Sequence, residues 1–475
     1  MLNLQMLCSI AVSSRQDTCI IIPKGWQGQE KIYIFMEFFH IIRWKLCYNE
    51  DKEGYVEDIM MRTIKFGIFG LGRGSGFYQS ILANNGDVVA VCDRDVAKLE
   101  EAKKHLGKDV ATYTDFDAFV EHKGLEAIFL CNFFHQHAPF AIKALERNIH
   151  VLSECTANGT MAEGVALVRA AEKSDAIYAL AENYPYMKFN QEMKRVVAGG
   201  SLGKLLFAEG EYNHPVDPAD LKYIKELRPY ARHWRNFLPR TYYVTHSLAP
   251  LMYITGATPV RITAMPVYAP FEKEGLMGLA VGDRAAIITC LNDDDSVFRI
   301  TGCAAFGAHG NSYRICGVNG QIENLRGGEG RVMLRYNKWS IPEGAERKSC
   351  YMPEWNDKDR ELIEQTGHGG GDFFVIREFF RCIREHQKPV FDVYAATTMS
   401  SVGILAHRSL LERGMPYDIP DFRREEDRVR YENDHLSPFW GANGEEPTLC
   451  ASSHAEDHPS AEEMAAYDKL MEEIE

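Results

Sequence analysis

The stretch IKFGIFGLGRGSG, residues 64–76, decides the fold of this chain. An apolar run with β-strand character ends in a cluster of glycines, and a helical pattern follows from Phe77 to Leu82. Glycine tolerates positive φ and lets the backbone approach a ligand closely. Free N–H groups at the start of the helix then face an anion such as a pyrophosphate. The stretch therefore predicts a strand, a tight turn and a helix that bind a phosphate-bearing cofactor.

The glycine spacing comes close to the G-x-G-x-x-G fingerprint of dinucleotide-binding domains. Gly70 and Gly72 fit the fingerprint, whereas the third position is Ser75, directly after Gly74. Taken alone, such a near-match is as typical of an ordinary turn as of a cofactor site. We count the glycines at 70, 72 and 74 as candidate cofactor contacts, together with Arg73 inside the cluster.

The next apolar run strengthens this interpretation. Residues 87–92 form this run, and Asp93 follows directly, about 20 residues past the glycines. An acid at this position of a dinucleotide-binding domain hydrogen-bonds the ribose hydroxyls. Asp93 should repel a 2′-phosphate, which favours NAD. Arg94 beside it keeps NADP open as an alternative. The sequence thus predicts a nicotinamide dinucleotide, with NAD favoured over NADP.

Composition narrows the function classes. The chain has 475 residues, enough for two or three domains, and a net charge of −14 from 53 basic and 67 acidic residues. This balance argues against nucleic acid and anionic membranes as partners. The 12 cysteines form no C-x-x-C pair, and several lie in apolar runs, which favours a reducing cytoplasm over a disulfide framework.

The N-terminal residues 1–60 match nothing that follows them. Their most apolar stretch, Ile32 to Tyr48, carries too many charges to span a membrane. The N-terminus has no basic region ahead of an apolar core, so a signal peptide is not expected. Met60 and Met61 open directly onto the first nucleotide-binding strand. We favour a start site assigned too early. An extra arm that covers an interface or the active site is the alternative.

Residues 61–185 alternate strand and helix patterns, which predicts an α/β fold with a doubly wound parallel sheet of the Rossmann type. Ligands of such sheets bind at the carboxyl ends of the strands. Asn132, His135, His137 and Glu154 fall at these ends and are candidate cofactor contacts. For His137 we favour the role of helix cap.

Residues 186–423 contain β-rich runs separated by Gly, Asp and Asn turns, which predicts an α+β domain with an open, mostly antiparallel sheet. A glycine run at 369–371 precedes Asp372, the expected N-cap of a helix, and Asp392 starts a last long helix. The acidic residues 424–475 are expected to form a surface extension with a short final helix.

The order of a Rossmann domain and an open sheet resembles the Gfo/Idh/MocA oxidoreductases over about residues 62–420. In most of that family a lysine transfers protons at the position of Cys155, and two acids flank the histidine that corresponds to His246. Here Tyr242 and Ala249 replace the acids. The motifs that carry the resemblance are Gly70–Gly72 with Asp93, Asn132–Pro139, His150–Glu154 and Gly200–Lys204.

A narrower resemblance is to the NAD-dependent α-N-acetylgalactosaminidase family of glycoside hydrolases, a branch of the same fold that also lacks the lysine. Position 371 is Gly rather than the Met often seen there, and the flanking loops differ, so the substrate does not carry over. The four segments that carry this resemblance are Glu182–Tyr186, Glu209–His214, Tyr242–Pro250 and Gly367–Asp372.

The resemblance implies a redox-neutral cleavage: oxidation of a sugar at C3, loss of the C2 proton and of the C1 substituent, addition of water, and re-reduction. His246 is our first candidate base, because an imidazole titrates near neutral pH. Tyr243 would share its face if this stretch were helical. Tyr186, with Tyr184 as its rival, and His368 complete the catalytic candidates. Each of these could instead have a purely structural role.

Other functions stay open at this stage. One is a net sugar or polyol dehydrogenase, and another is a non-catalytic NAD- or sugar-binding regulator. His214 and Tyr184 are weak candidates for substrate contacts, and the histidines lack metal-ligand spacing, so no metal is expected. The resemblance also implies a homo-oligomer, a dimer or tetramer, that acts on a small sugar or glycoside.

Overall fold

Two β-sheets organise the part of the chain that the computed structural model describes, residues 62–272, 278–355 and 357–474. The N-terminal extension expected at residues 1–60 lies outside these ranges. Within them, no helix is long and apolar enough to cross a membrane.

The strands are β1 (Ile64–Phe69), β2 (Gly86–Cys92), β3 (Ala111–Tyr113), β4 (Ala127–Leu130), β5 (His150–Ser153), β6 (Tyr178–Leu180), β7 (Leu205–Asn213), β8 (Pro259–Tyr268), β9 (Asp283–Asn292), β10 (Val297–Thr301), β11 (Gly310–Gly317), β12 (Gly320–Asn324), β13 (Val332–Tyr336), β14 (Lys348–Tyr351) and β15 (Tyr417–Asp418). The helices are α1 (Leu71–Gly74), α2 (Tyr78–Ala83), α3 (Val96–Leu106), α4 (Phe116–Val120), α5 (His137–Leu145), α6 (Met161–Lys173), α7 (Lys188–Ala198), α8 (Leu221–Leu227), α9 (Thr245–Thr255), α10 (Arg360–Gln365), α11 (Gly371–Glu385), α12 (Val393–Leu411), α13 (Glu425–Val429) and α14 (Ala461–Glu473).

The first sheet is parallel throughout, in the order β3-β2-β1-β4-β5-β6. Phe69, at the end of β1, pairs with Cys92 on one side and Leu130 on the other, so the carboxyl ends of these strands are level. Asp95 caps α3 through a bond from Ala97 N, as its sequence predicts. The doubly wound sheet expected from the alternating pattern is confirmed.

The glycine turn differs in detail from the expected one. The helix expected from Phe77 begins earlier, as α1, a 3₁₀ turn and α2. Gly70 has a φ of 95°, and a Cβ there would lie 2.5 Å from the main chain of Cys131. A Cβ on Gly74 would lie 2.5 Å from the Ile68 side chain. Gly74, rather than the residue at position 75, therefore lets the helix pack closely on β1.

The second sheet runs in the order β14-β13-β12-β11-β7-β10-β9-β8-β15 and is antiparallel except for the parallel pair β7–β10. Helices α9 and α12 pack on one face. Strand β9 shows the resulting alternation, with Ile288 and Cys290 buried and Ile287 and Leu291 exposed. The open, mostly antiparallel sheet is confirmed.

The C-terminal tail, residues 424–475, packs against the body more closely than the surface extension that its composition suggests. Phe439 and Tyr467 are buried, and Arg408 of α12 forms a two-pronged ion pair with Asp434. Ser460 caps α14 in a capping box, as expected. The tail is thus anchored to the body by a few buried side chains, while most of its residues lie at the surface.

Candidate active site

The cofactor candidates meet at the carboxyl ends of β1 and β2. The Asp93 carboxylate accepts hydrogen bonds from the main-chain N–H groups of Leu71, at 2.7 Å, and Asp95, at 2.9 Å. Gly70 and Gly72 lie in the same turn, whose tight backbone leaves no room for a Cβ at position 70. An acid beside an exposed helix start fits the ribose and pyrophosphate of NAD.

Arg73 connects this turn directly to the segments of Glu154 and Asp372, and through Asp372 to that of Asn183. Its Nε donates to Glu154 at 2.9 Å, and its Nη2 donates to Asp372 at 2.9 Å. Asn183 donates to the same Asp372 oxygen at 2.7 Å, and His368 Nδ1 lies 3.1 Å from that carboxylate. The arginine thus joins the ends of β1, β5 and β6 to the start of α11.

Asp372 is not the N-cap of α11, contrary to the sequence prediction. Gly370, in the left-handed region with a φ of 90°, occupies the cap position, and Asp372 lies in the first turn. Burial alone would raise the pKa of Asp372, but the hydrogen bond with His368 and the charge of Arg73 outweigh it and lower that pKa. The carboxylate therefore stays ionised although it is buried.

A chain of hydrogen bonds joins Glu182, His246 and Tyr243. His246 Nδ1 lies 2.8 Å from Glu182 Oε1, and His246 Nε2 lies 3.1 Å from the Tyr243 hydroxyl. With the carboxylate as acceptor, Nδ1 carries the hydrogen and Nε2 accepts from the tyrosine. Helix α9 begins at Thr245, so Tyr243 reaches the histidine from the preceding turn and not from a shared helical face. The Tyr313 hydroxyl anchors that first turn by donating to His246 O at 2.6 Å.

Two further tyrosines enclose this histidine. The Tyr184 ring stacks on His246 at 4.0 Å, and Tyr212 meets it edge-on at 4.9 Å. Burial raises the pKa of both tyrosines and of Tyr243 above the usual range. All three hydroxyls are therefore neutral at physiological pH and can donate hydrogen bonds.

Tyr186, a predicted catalytic residue, lies elsewhere. The 3₁₀ turn at Tyr184–Tyr186 sends its two tyrosines in different directions. Tyr186 packs against Tyr253 at 5.5 Å and Phe374 at 6.3 Å, in the core beneath α11. Its rival Tyr184 takes the position beside His246 instead.

The two histidines after β4 have different surroundings. His137 is buried, with Nδ1 2.8 Å from Thr156 O and Nε2 3.3 Å from Asn132 O, and it opens α5 without capping it. The His135 ring stacks on Phe439 at 4.5 Å, and burial lowers its pKa to about 4. His137 thus holds the loop together, while His135 stays uncharged at neutral pH.

Cys155 replaces the lysine of the broader family in the middle of this cluster. Burial and the charge of Glu154 raise the pKa of its thiol well above the usual range. A neutral buried thiol is a poor proton carrier at neutral pH. Cys155 therefore does not replace the lysine as a proton-transfer group.

The remaining candidates lie at the margin. His214 is half-buried, with its ring 5.8 Å from Tyr212 and 5.0 Å from His309. Arg94 is exposed and stacks over Phe133 at 5.2 Å. Across the three described ranges, no group of three His, Cys, Asp or Glu side chains is arranged to hold a metal ion.

The sequence alone did not identify Glu182 and Tyr212 as residues that contact His246. Both lie in segments that carry the family resemblance, but no spacing rule links a glutamate after β6 to a histidine 64 residues later. Such a pair becomes visible only when the two domains are placed together.

Family models match the first sheet and part of the second. A model of the Gfo/Idh/MocA oxidoreductase family, described as an NAD-binding Rossmann fold, matches residues 64–182. A model of the C-terminal domain of glycosyl hydrolase 109 matches residues 310–427. The chain combines a Gfo/Idh/MocA domain with a glycosyl hydrolase 109 C-terminal domain. Both resemblances inferred from the sequence are confirmed.

Curated relatives match about three quarters of the chain. A glycosyl hydrolase family 109 protein of Saccharopolyspora erythraea is 27% identical over 400 residues, covering 76% of this chain and 84% of that protein. A second, from Streptomyces niveus, is 28% identical over 397 residues, covering 77% of this chain and 78% of that protein.

Solved structures show the same fold at low identity. Levoglucosan dehydrogenase in complex with NADH and levoglucosan aligns with a TM-score of 0.61 at 15% identity, over 76% of this chain and 100% of that chain. An oxidoreductase from Agrobacterium radiobacter in complex with NAD⁺, L-tartaric acid and magnesium gives 0.60 at 14%, over 75% and 99%. These likenesses agree with the two-sheet fold described above.

Proposed function

We propose that this chain is an NAD-dependent enzyme that cleaves a glycoside with no net redox. The carrying observation is the hydrogen-bonded chain Glu182–His246–Tyr243, which offers a proton path that needs no lysine. The position of that lysine is Cys155, whose thiol is buried and neutral. The match to glycosyl hydrolase 109 supports cleavage of a glycoside rather than a net oxidation.

The chain's own residues fit the cofactor. The glycine turn at 70–74 would receive the pyrophosphate, and Asp93 would bind the adenosine ribose and disfavour a 2′-phosphate. NAD, when bound, supplies the chemistry of taking up a hydride and returning it. NAD is therefore the proposed cofactor, with NADP as the weaker alternative.

Tyr243 and His246 would move the first proton. The Tyr243 hydroxyl takes the proton of the sugar O3–H while it passes its own to His246 Nε2, and Glu182 stabilises the imidazolium that forms. The resulting C3 ketone acidifies the C2–H bond. Tyr184, stacked on the histidine with a neutral hydroxyl, would donate a hydrogen bond to the oxyanion that develops when the C2 proton leaves.

The later steps are elimination, addition of water and a final re-reduction that reverses the first step. Loss of the C2 proton breaks the bond from C1 to the leaving group, which departs with a proton, and a C1–C2 double bond forms. Water then adds its oxygen to C1 and a proton to C2. Re-reduction of C3 would draw on the hydride chemistry that NAD supplies when bound, and His246 would return the first proton to O3 through Tyr243. The sum is hydrolysis of one glycosidic bond.

A net sugar dehydrogenase is the second candidate. The solved neighbours favour it, since one of them is named levoglucosan dehydrogenase and was solved with NADH. Such an enzyme would use the same Tyr243–His246 pair for the O3 proton alone.

A paired assay separates the two candidates. Aryl glycosides of both anomers are screened for released phenol while nicotinamide absorbance is followed in the same cuvette. Phenol release that requires NAD without a build-up of NADH is expected. NADH build-up with free sugars and no phenol would establish the dehydrogenase, and tight sugar binding without turnover would indicate a regulator.

A matched pair of variants ties the activity to the site. Tyr243→Phe should lower kcat about 10²–10⁴-fold, because it removes the hydroxyl that contacts His246. Tyr186→Phe is the control, since this tyrosine lies in the core beneath α11 and should leave kcat nearly unchanged. Equal effects of the two substitutions would contradict the proposed role of Tyr243.

A further inference from the structure

A buried arginine lies close to this site. Arg228, directly after α8, is only 7% exposed, and its Nη1 has no hydrogen-bond partner among the residues that the structure describes. Within the described ranges, its side chain forms no ion pair with a carboxylate, and the charged groups that act on it are Arg240 and Arg235, which are also cations. Buried guanidinium groups are normally paired, because an unpaired buried charge is costly.

Cys303 links the arginines to the catalytic residues. Its main-chain N–H lies 3.2 Å from Arg240 O and 3.3 Å from Tyr243 O. Its side chain lies within electrostatic range of Arg228 and Arg235 on one side and of Tyr243 on the other. The arginine cluster, defined as Arg228, Arg235 and Arg240, therefore borders the tyrosines that enclose His246.

An aromatic path makes the same connection for Arg235. Its guanidinium lies 4.3 Å over the Trp234 ring, which stacks on Phe134 at 5.2 Å. Phe134 in turn meets the Tyr243 ring edge-on at 5.5 Å. These rings connect Arg235 to Tyr243 by a second route, separate from the one through Cys303.

The C-terminal tail holds the segment that carries Arg228. The Tyr467 hydroxyl donates to Arg228 O at 2.9 Å, and Asp468 accepts from Ala231 N at 2.7 Å. Both tail residues lie beyond residue 427, where the glycosyl hydrolase 109 match ends. The arginine is therefore fixed in place by a part of the chain outside the matched domain.

The cluster remains cationic at neutral pH. Burial and the charge of Arg240 lower the pKa of Arg228 to about 9, which still leaves it protonated. Arg240 uses its Nε to reach Asp283 O at 3.2 Å, a neutral carbonyl that cancels no charge. Guanidinium groups that face no acid are suited to a carboxylate, sulfate or phosphate, which they bind through two parallel hydrogen bonds.

We propose that Arg228, together with Arg235 and Arg240, binds an anionic group of the substrate, a carboxylate, sulfate or phosphate carried by the glycoside. The identity of that substrate as a glycoside rests on the proposed function above. The anion site itself does not, since it is defined by the arginines alone. The enzyme then selects acidic over neutral glycosides.

Binding of inorganic sulfate tests the site without turnover. NAD-saturated wild-type protein is melted in sulfate and in chloride of equal ionic strength. Sulfate should raise its Tm by about 2 °C or more relative to chloride, and Arg228→Met should abolish the difference. Arg232→Met is the matched control, because Arg232 is an exposed neighbour that stacks on Trp440.

The Tm measured in chloride shows whether Arg228 has only a structural role. Arg228→Met should fold with an unchanged or higher Tm, since it removes an unpaired buried charge. Should Arg228→Met not fold, Arg228→Lys and Arg240→Lys replace it, and each is expected to weaken the sulfate effect. A sulfate effect that is absent in the wild type, or equal in the wild type and in the Arg228 and Arg240 variants, overturns the proposal.

Turnover measurements then show whether the sugar or the leaving group carries the anionic group that the arginines bind. Matched aryl glycosides are compared that are neutral, that bear a carboxylate, sulfate or phosphate on the sugar, or that bear a sulfonate on the aryl group. One charged series should exceed the neutral one at least 10-fold in kcat/KM, and Arg228→Met should erase that preference. Cleavage of neutral and charged glycosides at equal rates contradicts the anion site, whereas sulfate binding without cleavage of any glycoside contradicts only the proposed function.

Discussion

Glu182 shows how one side chain can govern the chemistry of another. It is completely buried after β6, and one carboxylate oxygen lies 2.8 Å from His246 Nδ1. Its second oxygen, Oε2, has no hydrogen-bond partner within the described ranges. Glu182 therefore acts as a positioning residue that sets the orientation and tautomer of the histidine facing Tyr243.

Glu182→Gln should impair catalysis without removing the substrate site. The amide keeps the shape of the carboxylate but cannot stabilise an imidazolium, so kcat should fall about 10²–10⁴-fold with KM nearly unchanged. Single-turnover kinetics with an aryl glycoside would measure the chemical step directly. The control is Glu163→Gln, since Glu163 bonds main-chain N–H groups at the start of α6 and should leave kcat unaffected. A rise in KM with kcat unchanged would assign Glu182 to substrate binding instead.

At the scale of single residues, the sequence predicts a role only where local spacing, rather than the folded surroundings, determines it. Gly70 and Asp93 are predictable because local spacing alone sets their roles. Tyr184 and Tyr186 are not separable, since a single 3₁₀ turn decides which ring faces His246. Arg228 gives no signal at all, because a lone arginine in sequence is most often solvated and its burial depends on the tail.

At the scale of elements, helix α12 holds the tail through two neighbouring residues. His407 is fully buried, and its Nε2–H donates to Cys450 O at 2.8 Å. Arg408 pairs with Asp434 at 2.6 and 2.7 Å. The tail thus depends on α12 for docking, and its own residues in turn hold the segment that carries Arg228.

This docking should weaken in mild acid. Burial lowers the pKa of His407 to about 4, below its value of about 6.5 in the unfolded chain. The unfolded state therefore binds the proton more readily between these two values. The contribution to stability is complete above about pH 6.5 and is lost as pH falls towards 4, by up to about 3 kcal/mol. Urea unfolding at several pH values should show this slope.

A variant isolates the histidine from the other groups that titrate in this range. His407→Gln keeps a donor for the Cys450 carbonyl but cannot be protonated, so its free energy of unfolding should fall less between pH 6.5 and 4. His458→Gln, at an exposed position of the same tail, should keep the wild-type slope. Identical slopes for wild type and His407→Gln would show that His407 does not titrate in this way.

At the scale of the whole molecule, the two sheets follow from the sequence because each has a long-range pattern. Alternation of strand and helix predicts the parallel sheet, and repeated β-runs predict the open one. The strands without a clear apolar pattern escape prediction: β12 is the polar run Gly320–Asn324, and β15 has only two residues, Tyr417–Asp418. Their pairing is decided by neighbouring strands and not by their own residues.

The glycine turn and α11 are joined by an ion pair between residues that are far apart in the sequence. Arg73 and Asp372 are 299 residues apart, yet two hydrogen bonds join them. The Asp372 side chain is 3% exposed and that of Arg73 is 35% exposed, so solvent screens the pair only from one side. Asp372→Asn should therefore cost about 2 kcal/mol at neutral pH, more than an exposed ion pair contributes.

The pH dependence and a double-mutant cycle test this link together. Because the pKa of Asp372 is lowered in the folded state, its contribution is present above about pH 4 and is lost as pH falls towards the lower folded value. Urea unfolding of Asp372→Asn, Arg73→Met and the double variant should give a coupling of about 1–2 kcal/mol at pH 7 that shrinks near pH 3. Asp117→Asn, which breaks an exposed pair with Lys143, should cost under about 1 kcal/mol. Additive effects of the two substitutions would mean that the turn and α11 are stabilised independently.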